Sequence, residues 1–135
     1  MSNYRDVGKA VGEGVKNPPD KALELVRLRR IIKLVDESKR RQVFIALGTI
    51  GDYFLIPSLF CSCKDFELNV VMRGSKGTCY HLIALELALR EGKVRDVLVS
   101  DEEFMDIVYE VLFEGRSQTL RKILMRKSDP VEVHH

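Results

Sequence analysis

The chain has no tryptophan, only three cysteines, and only five amide side chains, Asn3, Asn17, Gln42, Asn69 and Gln118. Without tryptophan, and with no interleaving of aromatic and basic residues, stacking on unpaired bases is not indicated. An odd, small cysteine count argues against a disulfide framework and towards a metal site or a free thiol. The thin supply of amides is a trait of heat-adapted chains. Apolar runs such as Val43–Leu47 are far too short to span a bilayer. The opening residues MSNYRDVGKA lack the apolar core of a secretory signal, so a cytoplasmic protein is expected, nucleoid-associated or, in a eukaryote, nuclear. Neither sign of charge dominates: 22 basic and 20 acidic residues leave a net +2, which by itself does not advertise nucleic acid. The segment GKAVGEGVK has the glycines of a phosphate loop but neither the Gly-Lys-Ser/Thr ending nor a preceding strand. Paired carboxylates on a convincing pocket are also missing, so an enzyme has little support.

What is present is one domain's worth of chain, 135 residues with 45% apolar and 31% charged side chains, enough for a packed core. The charge is segregated. Residues 21–42 hold eight Lys/Arg against three acids, residues 91–114 hold two against eight, and residues 115–129 hold five against one. The two basic segments are either faces for a polyanion or ordinary solvated helix surface.

Residues 1–19, with Gly8, Gly12, Gly14 and Pro18-Pro19, read as a mobile tail. A basic helix is expected over 20–42, because Leu25, Leu28, Ile32 and Val35 recur at helical spacing while Arg27, Arg30 and Lys33 fall on the other side. The stretch from Arg41 to Ile50 is rich in strand formers, and Gly51-Asp52 separates it from a second apolar run, Tyr53–Phe60; this predicts a hairpin with Pro57 at an edge or bulge. A third strand is expected over Glu67–Met72, a loop over Arg73–Thr78, and a helix over Cys79–Arg90 that stops near Gly92. Ser100 and Glu103 form a capping-box pattern ahead of Phe104, Ile107, Val108, Val111 and Leu112, and Gly115 closes that helix. A last basic amphipathic helix is expected over about 117–127, within a C-terminal helical segment of 91–129. Residues 130–135 read as a disordered end or tag remnant.

All three cysteines and the sole internal histidine fall into one pattern, Cys61-Ser-Cys63, fifteen residues, then Cys79-Tyr-His81. Residues i and i+2 of an extended segment point the same way, so Cys61 and Cys63 can offer two sulfurs to one ion. Cys79 and His81 approach from the first turn of a helix. Four N/S ligands with no open position describe a closed, structural Zn²⁺ site. Three thiolates and a neutral imidazole leave a net charge of about −1, which a helix N-terminus favours. The rival reading is a catalytic Cys–His pair, but no acidic orienting group is evident nearby.

At these residues the chain resembles the SWIM zinc fingers, whose signature is C-x-C followed by C-x-H. Phe66, three residues after the second cysteine, fits the same pattern. The extended form Cys79-Tyr-His81-Leu-Ile-Ala84 resembles the SWIM subunits of Shu-type recombination complexes and their archaeal relatives. The resemblance covers about residues 43–90. Tyr80 departs from it, since many SWIM fingers carry a polar residue between the last two ligands. The fold implied is α+β: a small hairpin or three-stranded zinc module with one helix, flanked by amphipathic helices. The function implied is a non-enzymatic zinc protein of DNA recombination and repair that binds a RecA-like paralogue. DNA contact is expected through Arg27, Arg30, Lys33, Arg40, Arg41, Arg73 and Lys76. The sequence leaves open whether the chain forms a homodimer. The alternative is a protein-interaction or transcription-regulatory subunit that never touches DNA, which the acidic 91–114 segment favours.

Overall fold

The computed structural model describes residues 17–72, 74 and 78–132. Most of the segment read as a tail, the loop residues Arg73 and Lys76, and residues 133–135 lie outside the described residues.

Helix α1, Asp20–Arg27, starts directly after Pro19 and buries Ala22, Leu25 and Val26. It stops far short of residue 42. The Arg29 N–H donates to the Val26 carbonyl (3.1 Å) and the Arg30 N–H to the Leu25 carbonyl (2.9 Å), with Arg29 left-handed at φ 57°. This is the Schellman end of a helix, with arginine where glycine is usual. The chain then enters strand β1, Ile31–Asp36. The expected basic helix of 20–42 is therefore corrected to a short helix, a sharp stop and a strand. Ile31, Ile32 and Leu34 are fully buried because β1 is covered on both faces, so its apolar residues run on rather than alternate. A short unbroken run of this kind does not distinguish strand from helix by periodicity.

Strands β2 (Gln42–Leu47), β3 (Asp52–Ile56) and β4 (Phe60–Cys61) continue an antiparallel meander, and β5 (Arg95–Val99) adds in parallel to the far side of β1. The sheet order is β4-β3-β2-β1-β5, so β1 lies inside the sheet, between β2 and β5. β3 stops at Ile56, just before Pro57, as a residue without an N–H requires. The strand expected over Glu67–Met72 is instead a π-helical turn, Phe66–Met72. The Asn69 side chain donates to the Asp65 carboxylate one turn back (2.7 Å), which favours a coiled backbone.

Helix α2 (Tyr80–Glu91) ends at Gly92 in the left-handed conformation, as expected. Helix α3 (Asp101–Glu114) carries the capping box: the Glu103 N–H donates to Ser100 Oγ and the Ser100 N–H to Glu103 Oε1, both at 3.0 Å. Gly115 closes it. Helix α4 spans Gln118–Glu132, running past the boundary expected near residue 127.

The sheet separates two apolar layers. On one face Ile31, Ala46 and Leu55 pack with α1, α2 and the cysteines. On the other, Ile32, Leu34, Ile45, Leu47, Val97 and Val99 pack under Phe104, Ile107 and Val111 of α3 and Leu120, Ile123 and Leu124 of α4. The α+β class stands, but the sheet has five strands and reaches beyond the zinc module. A buried polar joint ties the layers at one end. Asp52, buried at the start of β3, accepts from the Ser117 N–H (2.8 Å) and pairs with Arg121 of α4.

Candidate metal centre

Cys61 ends the edge strand β4, paired opposite Leu55. The chain is held there by Ser62, whose N–H donates to the Phe54 carbonyl (3.0 Å) and whose Oγ accepts from the Phe54 N–H (2.9 Å). That exchange fixes the short spacer between the first two cysteines, and the Phe66 N–H donates to Cys63 Sγ at 3.3 Å. Phe66 itself is buried and meets Phe60 edge-on, 5.6 Å between ring centres. Cys79 is the N-cap of α2 and His81 lies in its first turn.

The ligand atoms of Cys61, Cys63, Cys79 and His81 all lie within 4.8 Å of one another, and each residue is no more than 4% exposed. His81 Nδ1 faces the sulfurs, 3.7 Å from Cys61 Sγ and 4.0 Å from Cys79 Sγ. Tetrahedral Zn²⁺ with ordinary Zn–S and Zn–N lengths puts such atoms roughly 3.6 Å apart, so the cluster is close to the size the ion needs. Three soft sulfurs and one imidazole are the donor set of a structural zinc site, and they fit one zinc ion. Zinc there supplies a cross-link between β4, the spacer and the start of α2.

The three thiols act on one another through their close hydrogen bonds. Hydrogen bonds from Cys61 and then Cys79 hold Cys63 far below the usual thiol range, while Cys61 is pushed far up, first by its bond to Cys63, then by Cys79 and burial. Cys79 is drawn down by Cys61 but more strongly raised by Cys63 and burial, to about 11. Zinc binding displaces the thiol protons, so uptake of the ion releases acid. The N-terminus of the 12-residue helix α2 favours the anionic cluster that results. Two tyrosines complete the surroundings: Tyr53, not singled out from the sequence as a site residue, and Tyr80, noted there only as a departure from the pattern, flank the imidazole with ring centres 4.8 and 4.2 Å from His81. Tyr80 is thus an imidazole neighbour, and only its position beside His81 in sequence could have signalled it.

This arrangement has the donor set and order of a SWIM-type zinc finger. Residues 42–90 match the family model described as SWIM zinc finger. The chain is 30% identical over 91 residues to "Zinc finger SWIM domain-containing protein 7" of Mus musculus, an alignment covering 66% of this chain and 59% of that protein. With the Homo sapiens protein of the same name it is 30% identical over 89 residues, covering 64% and 63%. A Dictyostelium discoideum homologue is 26% identical over 92 residues, 67% and 59%. The chain spans about three fifths of the length of these relatives. No solved structure matches it.

The residues expected to contact DNA are not brought together as one helix face. Arg27 is exposed at the end of α1, and Arg30 follows it, with one guanidinium N–H donating to the Leu47 carbonyl (3.3 Å). Lys33 is half-buried within β1, between Phe44 and Asp96. Arg40 and Arg41 stand beyond the other end of that strand, roughly 20 Å away at the rise of an extended chain. Arg41 is occupied there: its Nε donates to Asp36 Oδ2 (2.7 Å) and its guanidinium lies 5.0 Å over the Phe104 ring.

Proposed function

We propose that this protein is a non-enzymatic, zinc-stabilised subunit that acts in DNA recombination and repair by binding a RecA-like paralogue. The observation that supports the non-enzymatic part is the ligand set: four protein side chains, all buried, are enough to complete a tetrahedral zinc site without an open position. The recombination branch is supported by the C-x-H-x-x-A form of the finger. Ala84, one turn after His81, is fully buried and lies with Ala22 and Ala88 in the layer where α1 meets α2. A larger side chain there would push the helices apart.

A protein partner is supported by the outer face of α3. Met105, Tyr109, Leu112 and Phe113 recur at helical spacing and are 50–72% exposed, on the side away from the buried Phe104, Ile107 and Val111. An apolar stripe of this size on a soluble surface is characteristic of a docking face. Capture of the tagged protein from its native host, with identification of what co-purifies in stoichiometric amount, tests the reading. A RecA-like ATPase paralogue is expected. Recovery of the chain alone, or with partners unrelated to recombination, would replace this function with a different interaction role.

A further inference from the structure

The geometry points to a phosphate-binding site for the nucleic-acid backbone, built by arginines that are scattered in sequence and lie outside the zinc finger. An open cavity of about 340 Å³ sits where the end of α1, the last residue of β2, the first residue of β5 and α4 meet. Arg29, Arg30, Arg95, Arg116 and Arg121 line it, and none of the described lining residues is acidic. Arg121 is compensated by Asp52. The other four have no carboxylate partner among the described residues, and Arg30 is fixed by its bond to the Leu47 carbonyl. Like charges so gathered repel one another unless an anion joins them. Guanidinium groups are the side chains best shaped to bind phosphate oxygens in pairs. Arg29 adds a second, independent sign, since it occupies the left-handed position that ends α1, where glycine fits with less strain. The sequence hides the site because its members come from both basic segments, 21–42 and 115–129, and from the acidic segment, which contributes Arg95. The cavity is open rather than enclosed and its floor is apolar, Leu47 and Leu124, which suits a backbone passing across it.

The test is fluorescence anisotropy with the full zinc-loaded chain and a fluorescein-labelled 20-nucleotide DNA, as single strand and as duplex, at two salt concentrations. Binding is expected at low salt and to fall steeply as salt rises. Arg29→Ala with Arg116→Ala, both exposed, should weaken binding about tenfold or more for every base sequence alike. It should flatten the salt slope by about 1.8 on duplex or about 1.4 on single strand. Arg29→Lys with Arg116→Lys should keep most of the slope, and Lys93→Ala, outside the cavity and paired with Glu91, should leave binding unchanged. Zinc content and melting temperature should match the parent throughout. Three results would overturn the site: an Arg29/Arg116 double alanine variant that binds DNA like the parent, competition by inorganic phosphate or a free nucleotide at micromolar concentration, or sedimentation showing that the same variant abolishes a dimer instead. The protein-partner reading is tested separately by the capture experiment and stands or falls without this site.

Discussion

His81 turns Nδ1 to the sulfurs, and its Nε2 is buried without a hydrogen-bond partner among the described residues. The ring is therefore held by Tyr53 and Tyr80 rather than by a carbonyl or carboxylate. Tyr53→Leu is expected to weaken zinc binding by about 10-fold or more, measured by chelator competition, with the same stoichiometry of one ion per chain. Cys79→Ser or His81→Ala should instead leave metal analysis well below one equivalent. Asp52 gives a residue-scale prediction away from the metal: Asp52→Ala strips the partner from Arg121 and should cost about 3–5 kcal/mol in denaturant unfolding. At Asp36, burial raises the carboxyl, but the Arg41 guanidinium and backbone N–H groups outweigh it and hold it at about 2, against an ordinary 3.8. A lowered folded value stabilises above the ordinary one, so this contribution is complete above pH 3.8 and lost as pH falls towards about 2. Melting curves of the parent and Arg41→Ala should thus converge across that window. The four ligands were legible from sequence because thiol and imidazole chemistry is written in residue type and spacing. Asp52 was not, because as a neighbour of Gly51 it looks like turn residue, and its partner is 69 positions away.

Among the elements, those with local signals were legible. The Ser100 capping box, the Gly92 and Gly115 stops and the β2–β3 hairpin all arise from bonds within a few residues. β1 and β5 were missed because their identity is set by what covers them. Ile31 and Ile32 face opposite layers, and Arg95–Val99 becomes a strand only by pairing with β1. The end of α1 offers a clean test of the boundary. Arg29→Gly relieves a left-handed arginine and should stabilise the fold by about 1 kcal/mol if α1 stops at Leu28, whereas glycine inside a continuous helix would destabilise by a similar amount. Thermal melting reads the sign directly. The same substitution removes one cavity arginine, so gain in stability and loss of DNA affinity are expected together.

Over the whole molecule, the apolar layer beneath the zinc ligands and the layer beneath α3 and α4 share one sheet, and β1 contributes to both. Loss of zinc should therefore be felt in the C-terminal helices, not confined to the finger. Hydrogen exchange after chelation is expected to show faster amide exchange in α3 and α4 as well as in residues 42–90. Native protection of α3 and α4 in the zinc-free chain would show that the two layers are energetically separate. The outer stripe of α3 behaves differently, because Tyr109 and Phe113 touch each other (4.7 Å between ring centres) and remain exposed. Tyr109→Ser with Phe113→Ser should change melting by no more than about 0.5 kcal/mol while reducing capture of the proposed protein partner.

Because β1 pairs with β2 yet precedes residue 42, the stretch that defines the finger by pattern is not a portable part. Cut out at 42–90 and grafted elsewhere, it would carry its four ligands and a naked strand, with Gln42–Leu47 presenting unpaired backbone to any chain nearby. Such a fragment is expected to precipitate even with zinc supplied, whereas one beginning near Pro19 and running through β5, α3 and α4, so that both sheet faces stay covered, should stay in solution. Anyone building a chimera from this protein must therefore cut by strand neighbours and not by motif.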